Sequence, residues 1–186
     1  MGEDRNSSSS FPVEKFHICI ITTGGTIEKT YDEFHGNLEN KLTELEKRVL
    51  SRLRLPYMTF EVKSPLSKDS LHFTADDRRN VMETAREAIK SKRYAAILII
   101  HGTDTMDQTA EFLRNGLSPE VDIPIIFTGA MKPMGFEDSD AMQNVTEALM
   151  ASKLSPAGVY ICFHGELFSL PNVRKNRQWL TFEKLN

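Results

Sequence analysis

The sequence predicts a three-layer α/β fold, a doubly wound and mainly parallel sheet with helices on both faces. Three observations lead there. Residues 18–21, 95–100, 123–127 and 158–163 are short apolar runs, the mark of strands buried on both faces. Between them lie longer segments in which apolar residues recur at helical spacing, and strand alternating with helix implies parallel pairing through crossovers. Each run then ends in a cluster of Thr, Ser and Gly, and the carboxyl ends of parallel strands are where open α/β sheets hold ligands.

The totals agree with this class. A chain of 186 residues suits one domain with a core of its own, here expected over residues 15–186. Residues 1–14 precede it, polar, with Ser7 to Ser10 and Pro12, and are expected to be a disordered tail. The net charge of -3 gives no general attraction to nucleic acid or to an anionic membrane. Cys19 and Cys162 fall inside apolar runs and read as small core side chains. No apolar run approaches a membrane span, and the start has no apolar signal region, so the cytoplasm is the expected location.

In chain order, residues 16–21 form the first strand, followed by TTGGT. The charged segment 28–36 has no clear period and reads as a lid over the strand end or as a solvated loop. Residues 39–54 are expected to be helical, with Leu42, Leu45, Val49 and Leu53 on one face and Pro56 as the stop. Residues 58–62 form a short strand, and 64–70 a turn. Thr74 caps a helix to about Lys92, with Val81, Met82, Ala85, Ala88 and Ile89 inward. The third strand runs into HGTDT, where Thr105 and Gln108 fit a capping box for a helix to about Asn115 and Gly116. The fourth strand leads into TGAMKP, a helix spans about 139–153, and the fifth strand ends at Phe163. The remainder, to Asn186, reads as polar loop. Parallel strands place the trailing clusters on one sheet edge, and their convergence is a stronger signal than any one of them.

The residue types suggest amide chemistry. Thr26 follows two glycines, whose backbone can approach a ligand closely, and it is the candidate nucleophile. The alternative is a plain tight turn. In HGTDT, capping accounts for Thr105 and not for Thr103 and Asp104, which precede the cap. Asp104 suits a ligand ammonium, and Thr103 can align a water or act as a second nucleophile. A threonine attacks only when something takes its proton. Lys175 can do so if it sits between Asp104 and a hydroxyl, although Arg174, Lys175 and Arg177 also read as a solvated basic loop. Tyr31 can orient Thr26 or relay a proton. Ser67 suits a ligand carboxylate, and N–H groups of Gly25 and Gly102 suit an oxyanion. The sequence has no P-loop, no GxGxxG and no HExxH. His101 reads as structural, and no histidine has paired metal-ligand spacing.

TTGGTIE, HGTDTM and TGAMKP, in this order and spacing, resemble the bacterial-type L-asparaginase family over residues 15–182. The resemblance implies the N-terminal α/β fold of that family, flavodoxin- or Rossmann-like. It also implies hydrolysis of L-asparagine to aspartate and ammonia through a threonine acyl-enzyme, often with some glutaminase activity, without metal or cofactor. Thr26 matches the nucleophile, Thr103 and Asp104 the second motif, and Lys175 the lysine that completes a Thr-Lys-Asp set. Ser67 resembles the serine that holds the substrate carboxylate, and Tyr31 the lid tyrosine at a shorter interval.

Two features depart from the family pattern. Lys68 stands where a neutral polar residue is usual, and it is counted with Ser67 among the substrate-binding candidates. The chain also looks like a short single-domain form, without the second domain whose glutamate, from a neighbouring subunit, contacts the substrate amino group. Asp104, the lid acids Glu28, Asp32 and Glu33, or another subunit contact must then recognise that group. A homo-oligomer, dimer or tetramer, is expected by the same analogy, with Met134, Phe136, Phe168 and Leu170 as candidate exposed apolar residues. Two alternatives to asparagine hydrolysis are a catalytically weak amino-acid-binding module and a hydrolase of a larger amide, such as peptide-linked or acylated asparagine.

Overall fold

The computed structural model describes residues 15–25, 29–32, 37–40 and 49–185, with 29–32 and 37–40 described by their strand pairing. The expected tail 1–14, Thr26, Glu28, Glu33, and Leu42 and Leu45 of the expected 39–54 helix lie outside the described residues.

Strand β1 (Phe16–Thr22) is followed by β2 (Lys29–Asp32) and β3 (Asn37–Asn40). β2 and β3 pair antiparallel, with Tyr31 opposite Leu38. This corrects two expectations: 29–32 is strand rather than loop, and the segment from residue 39 begins in a strand rather than a helix. Its far end, Leu50–Arg52, is a single 3-10 turn. The backbone of 37–40 pairs across the ribbon with that of 29–32.

After β4 (Met58–Lys63), helix α1 (Ala75–Ser91) opens on a capping box. The Asp77 N–H donates to Thr74 Oγ1, and the Thr74 N–H donates to the Asp77 carboxylate. β5 (Ala96–Ile100), α2 (Met106–Leu117), β6 (Pro124–Thr128), α3 (Ala141–Leu154) and β7 (Gly158–Phe163) follow. α2 runs one residue past Gly116, where a side chain would collide with Met82 Sδ of α1. The glycine is there for helix contact, not as a cap.

The expected polar loop after residue 163 is instead three short strands, β8 (Glu166–Ser169), β9 (Val173–Asn176) and β10 (Thr181–Lys184). The main sheet has the order β4-β1-β5-β6-β7-β8, and β9 and β10 form a separate ribbon. Pairing is parallel from β4 through β7, and β8 returns antiparallel on β7.

The two-residue period of a strand sorts the side chains into two cores. Cys19, Ile21, Ile97, Ile99, Ile125 and Phe127 face α1 and α2. Ile18, Ile20, Ala96, Leu98, Ile100 and Ile126 face α3. All five residues of β5 are fully covered, and burying a large aliphatic side chain stabilises by roughly 1.5–3 kcal/mol. The strand at the centre of the sheet is therefore fully covered, and it carries HGTDT at its end. The fold is a mostly parallel sheet between helix layers, as the apolar runs predict.

Of the apolar residues expected to be exposed, Phe136 is exposed, but Leu170 is buried, and Met134 and Phe168 pack against the two cores. No helix among the described residues is long and apolar enough to cross a membrane.

Candidate active site

Backbone groups bind the strand-end loops into one rim. The Thr23 N–H and hydroxyl both donate to the Ile100 carbonyl, at 3.2 and 3.1 Å. The Lys68 N–H donates to the Thr23 carbonyl at 3.0 Å, and the His101 N–H to the Thr128 carbonyl at 2.9 Å. Thr22 Oγ1 and Ser64 Oγ lie 2.7 Å apart. The first and third loops touch through their glycines. Gly25 has φ +98°, and a Cβ there would fall 2.8 Å from the Gly102 Cα and N. Only glycine meets both demands without strain.

Thr105 takes part in this network differently from the sequence expectation. It stands at the N-cap of α2, yet its side chain caps nothing. Its hydroxyl donates instead to the Ser70 carbonyl at 2.8 Å, which ties the third loop to the turn before α1. That carbonyl also accepts the Phe73 N–H at 3.1 Å, so the hydroxyl that would otherwise cap the helix is its second donor.

On this rim Lys175 joins Thr103 and Asp104. Its Nζ donates to Thr103 Oγ1 at 2.7 Å and to Asp104 Oδ1 at 3.0 Å. The partners lie 72 and 71 residues away in the chain. Lys175 reaches them because the β9–β10 ribbon is anchored by Val173 and Phe182, both buried, with the Phe182 ring edge-on to Phe163 at 5.1 Å. Lys175 shares the inward side of β9 with Val173. Its N–H also donates to the Asp107 carboxylate at 3.3 Å, so the start of α2 holds the lysine's backbone as well. Thr103 is buried, and Asp104 is one-third exposed.

The other expected site residues divide. Gly25 and Gly102 are on the rim. Ser67 is exposed on the loop after β4. Lys68 is adjacent, but its ammonium is 2.7 Å from the Asp77 carboxylate and holds that carboxyl down to about 2, together with the Thr74 N–H. Lys68 thus braces the start of α1. Tyr31 lies in β2, and Thr26 lies outside the described residues, one position beyond Gly25.

His101 is structural, as its sequence setting suggests. It is buried against Phe73 and Phe127, and burial pushes its imidazole down to about 4. Neutral at pH 7, it donates from Nδ1 to the Gly102 carbonyl at 2.8 Å. Among the described residues no group of His, Cys, Asp and Glu could hold a metal ion.

Two features escape sequence reasoning. Arg177 Nη1 lies 3.4 Å from Asp104 Oδ1, the oxygen that Lys175 also contacts. Its sequence signal, a basic residue two places from Lys175, equally fits a solvated loop. At the other end of the rim, Asp140 accepts from the Met131 and Lys132 N–H groups, Asn144 Nδ2 and His164 Nε2. No local pattern marks that cluster.

Residues 17–184 match the protein family described as "Asparaginase, N-terminal". The chain is 32% identical over 153 residues to a glutamyl-tRNA(Gln) amidotransferase subunit of Methanobrevibacter smithii, covering 82% of this chain and 34% of that one. It is 25% identical over 161 residues to an L-asparaginase of Bacillus licheniformis, covering 85% of this chain and 49% of that protein. Its structure resembles the thermostable L-asparaginase from Thermococcus kodakarensis with a TM-score of 0.82 at 26% identity, covering 91% of this chain and 51% of the other. The chain thus spans about a third to a half of the length of these relatives.

Proposed function

This chain belongs to the asparaginase family of hydrolases, and from that premise we propose that it hydrolyses the side-chain carboxamide of asparagine, releasing aspartate and ammonia. The observation that carries the proposal is the Lys175 ammonium set between Thr103 Oγ1 and Asp104 Oδ1 at 2.7 and 3.0 Å. A hydroxyl, a lysine nitrogen and a carboxylate in hydrogen-bonded sequence form a path along which a hydroxyl or water proton can move.

In this reading Thr26 attacks the carboxamide carbon, with Tyr31 or a lid acid assisting. N–H groups of Gly25 and Gly102 stabilise the oxyanion, the feature that usually contributes most to acyl transfer. The C–N bond breaks, and the leaving nitrogen takes up the proton that Thr26 gave up and departs as ammonia. Water, oriented by Thr103 and Lys175, then adds to the acyl carbon; the ester C–O bond breaks, and a proton from that water returns to the Thr26 oxygen and regenerates the hydroxyl. Asp104 keeps Lys175 in place, and Ser67 receives the substrate carboxylate.

The test is ammonia release by the wild type, Thr26→Ala and Thr103→Val. Both variants are expected to lose activity by roughly 10²–10⁴-fold, the scale of a lost proton-transfer or nucleophilic group. Unchanged turnover in Thr26→Ala would remove Thr26 as nucleophile.

A second reading draws on the identity with the glutamyl-tRNA(Gln) amidotransferase protein of Methanobrevibacter smithii. The same amide cleavage would then serve a larger enzyme, with the nitrogen transferred rather than released. Steady ammonia release by the isolated chain favours the first reading. Amide cleavage that begins only when a partner protein is added favours the second.

A further inference from the structure

We infer that Arg177 is a specificity-determining residue of this site, favouring amides whose α-nitrogen is acylated over the free amino acid. The inference rests on the amide-hydrolase reading and names the substrate class within it. Arg177 Nη1 lies 3.4 Å from Asp104 Oδ1, and Lys175 Nζ lies 3.0 Å from the same oxygen. Asp104 is the carboxylate suited to a substrate ammonium, and two cations already share its charge.

The surroundings leave Arg177 to this role. Lys68 is paired with Asp77, and Arg174 with Glu183 at 2.7 Å. Among the described residues the ion-pair partner of Arg177 is Asp104. Asp107, another acid near Lys175, accepts the Lys175 N–H. A free α-ammonium arriving at Asp104 must displace the guanidinium, or bind the second carboxylate oxygen and face two cations across one carboxylate. Like charges at that range oppose binding.

An acylated nitrogen carries no charge and meets no such opposition. Its carbonyl can also accept from the guanidinium, whose planar fork offers five N–H donors. Arg177 is 71% exposed and stands on the solvent side of the partly buried Asp104, where the unreacting end of a larger amide would leave the site.

The experiment compares two ligand pairs in the wild type, Arg177→Gln and Arg177→Lys. Calorimetry measures L-aspartate against N-acetyl-L-aspartate, and ammonia release measures L-asparagine against N-acetyl-L-asparagine. The wild type is expected to prefer the N-acetyl member of each pair. Arg177→Gln is expected to shift the ratio toward the free amino acid by about two- to fivefold, the range of an exposed ion pair. Arg177→Lys, which keeps the charge, should keep most of the preference. Equal ratios in wild type and Arg177→Gln overturn the inference, as does a wild type that prefers the free amino acid or binds neither product. If neither amide is hydrolysed while the products bind with the expected ratios, the proposed reaction fails and the role of Arg177 stands.

Discussion

Two carboxylates sit on the strand-end rim, and they are held in different ways. Asp140 is fixed largely by backbone: the Met131 and Lys132 N–H groups donate to it, with Asn144 Nδ2 and His164 Nε2 closing the set. Burial pushes its carboxyl up, but the Met131 and Lys132 N–H groups and His164 more than offset this and leave it below the usual carboxylate range. Asp104 is met by side chains instead, Lys175 at 3.0 Å and Arg177 at 3.4 Å. Backbone donors cannot leave without unfolding the loop, whereas side-chain cations can move, exchange protons or yield to a ligand. One carboxylate therefore fastens the rim, and the other is available for chemistry.

The largest test of this contrast is to remove each partner set. Lys175→Met should lower ammonia release by roughly 10²–10⁴-fold and leave the melting temperature nearly unchanged. Asp140→Ala should do the reverse. It strands the Met131 N–H, Asn144 Nδ2 and His164 Nε2 donors, all partly buried, and since an unmet buried donor costs about 1–3 kcal/mol, a loss on the order of 3 kcal/mol in chemical denaturation is expected. Activity per folded molecule should fall far less than in Lys175→Met. If Lys175→Met unfolds the protein and Asp140→Ala spares it, the two roles are exchanged.

The same contrast explains what the sequence reveals. Residues 18–21 and 96–100 are legible as strands because burial on both faces demands an unbroken apolar run. β9 and β10 are not legible: they are short and polar, and only Val173 and Phe182 are buried within them. Thr103 and Asp104 stand out because they interrupt a pattern, polar residues directly after a covered strand. Lys175 follows from the residues only as a possibility. Its pairing spans 71 residues, and nothing local in Arg174, Lys175 and Arg177 says which of the three turns inward. Strand alternation decides it, placing Lys175 on the side of buried Val173 and Arg174 outward. Asp140 escapes notice for a similar reason, since its donors are largely backbone groups that every sequence has.

A smaller effect concerns pH. His101 is buried as the neutral imidazole, and its folded-state value of about 4 lies below the usual 6.5. The unfolded chain therefore binds a proton that the folded chain resists. Stability is fully present above about pH 6.5 and is lost as pH falls toward 4, by about 2 kcal/mol between pH 7 and 5. Denaturation across that range measures it. His101→Gln should flatten this part of the profile, and an equally steep decline in the variant would assign the acid sensitivity to other groups.

The smallest effect separates two threonines that look alike in sequence. Thr74 and Thr105 each precede a helix and an acid or amide three residues on, yet only Thr74 forms a capping box. Thr105 commits its hydroxyl to the Ser70 carbonyl at 2.8 Å. Replacing Thr74 by Ala should cost about 1 kcal/mol, in stability alone, because its partner Asp77 belongs to the same helix. Thr105→Val should cost a similar amount, but it also releases the turn at Ser70 from the loop that carries Thr103 and Asp104. Ammonia release by Thr105→Val should therefore fall several-fold more than by Thr74→Ala at matched stability. Equal activity in the two variants would mean that the rim keeps its geometry without this tie, and that the glycine contact between Gly25 and Gly102 is enough to hold it.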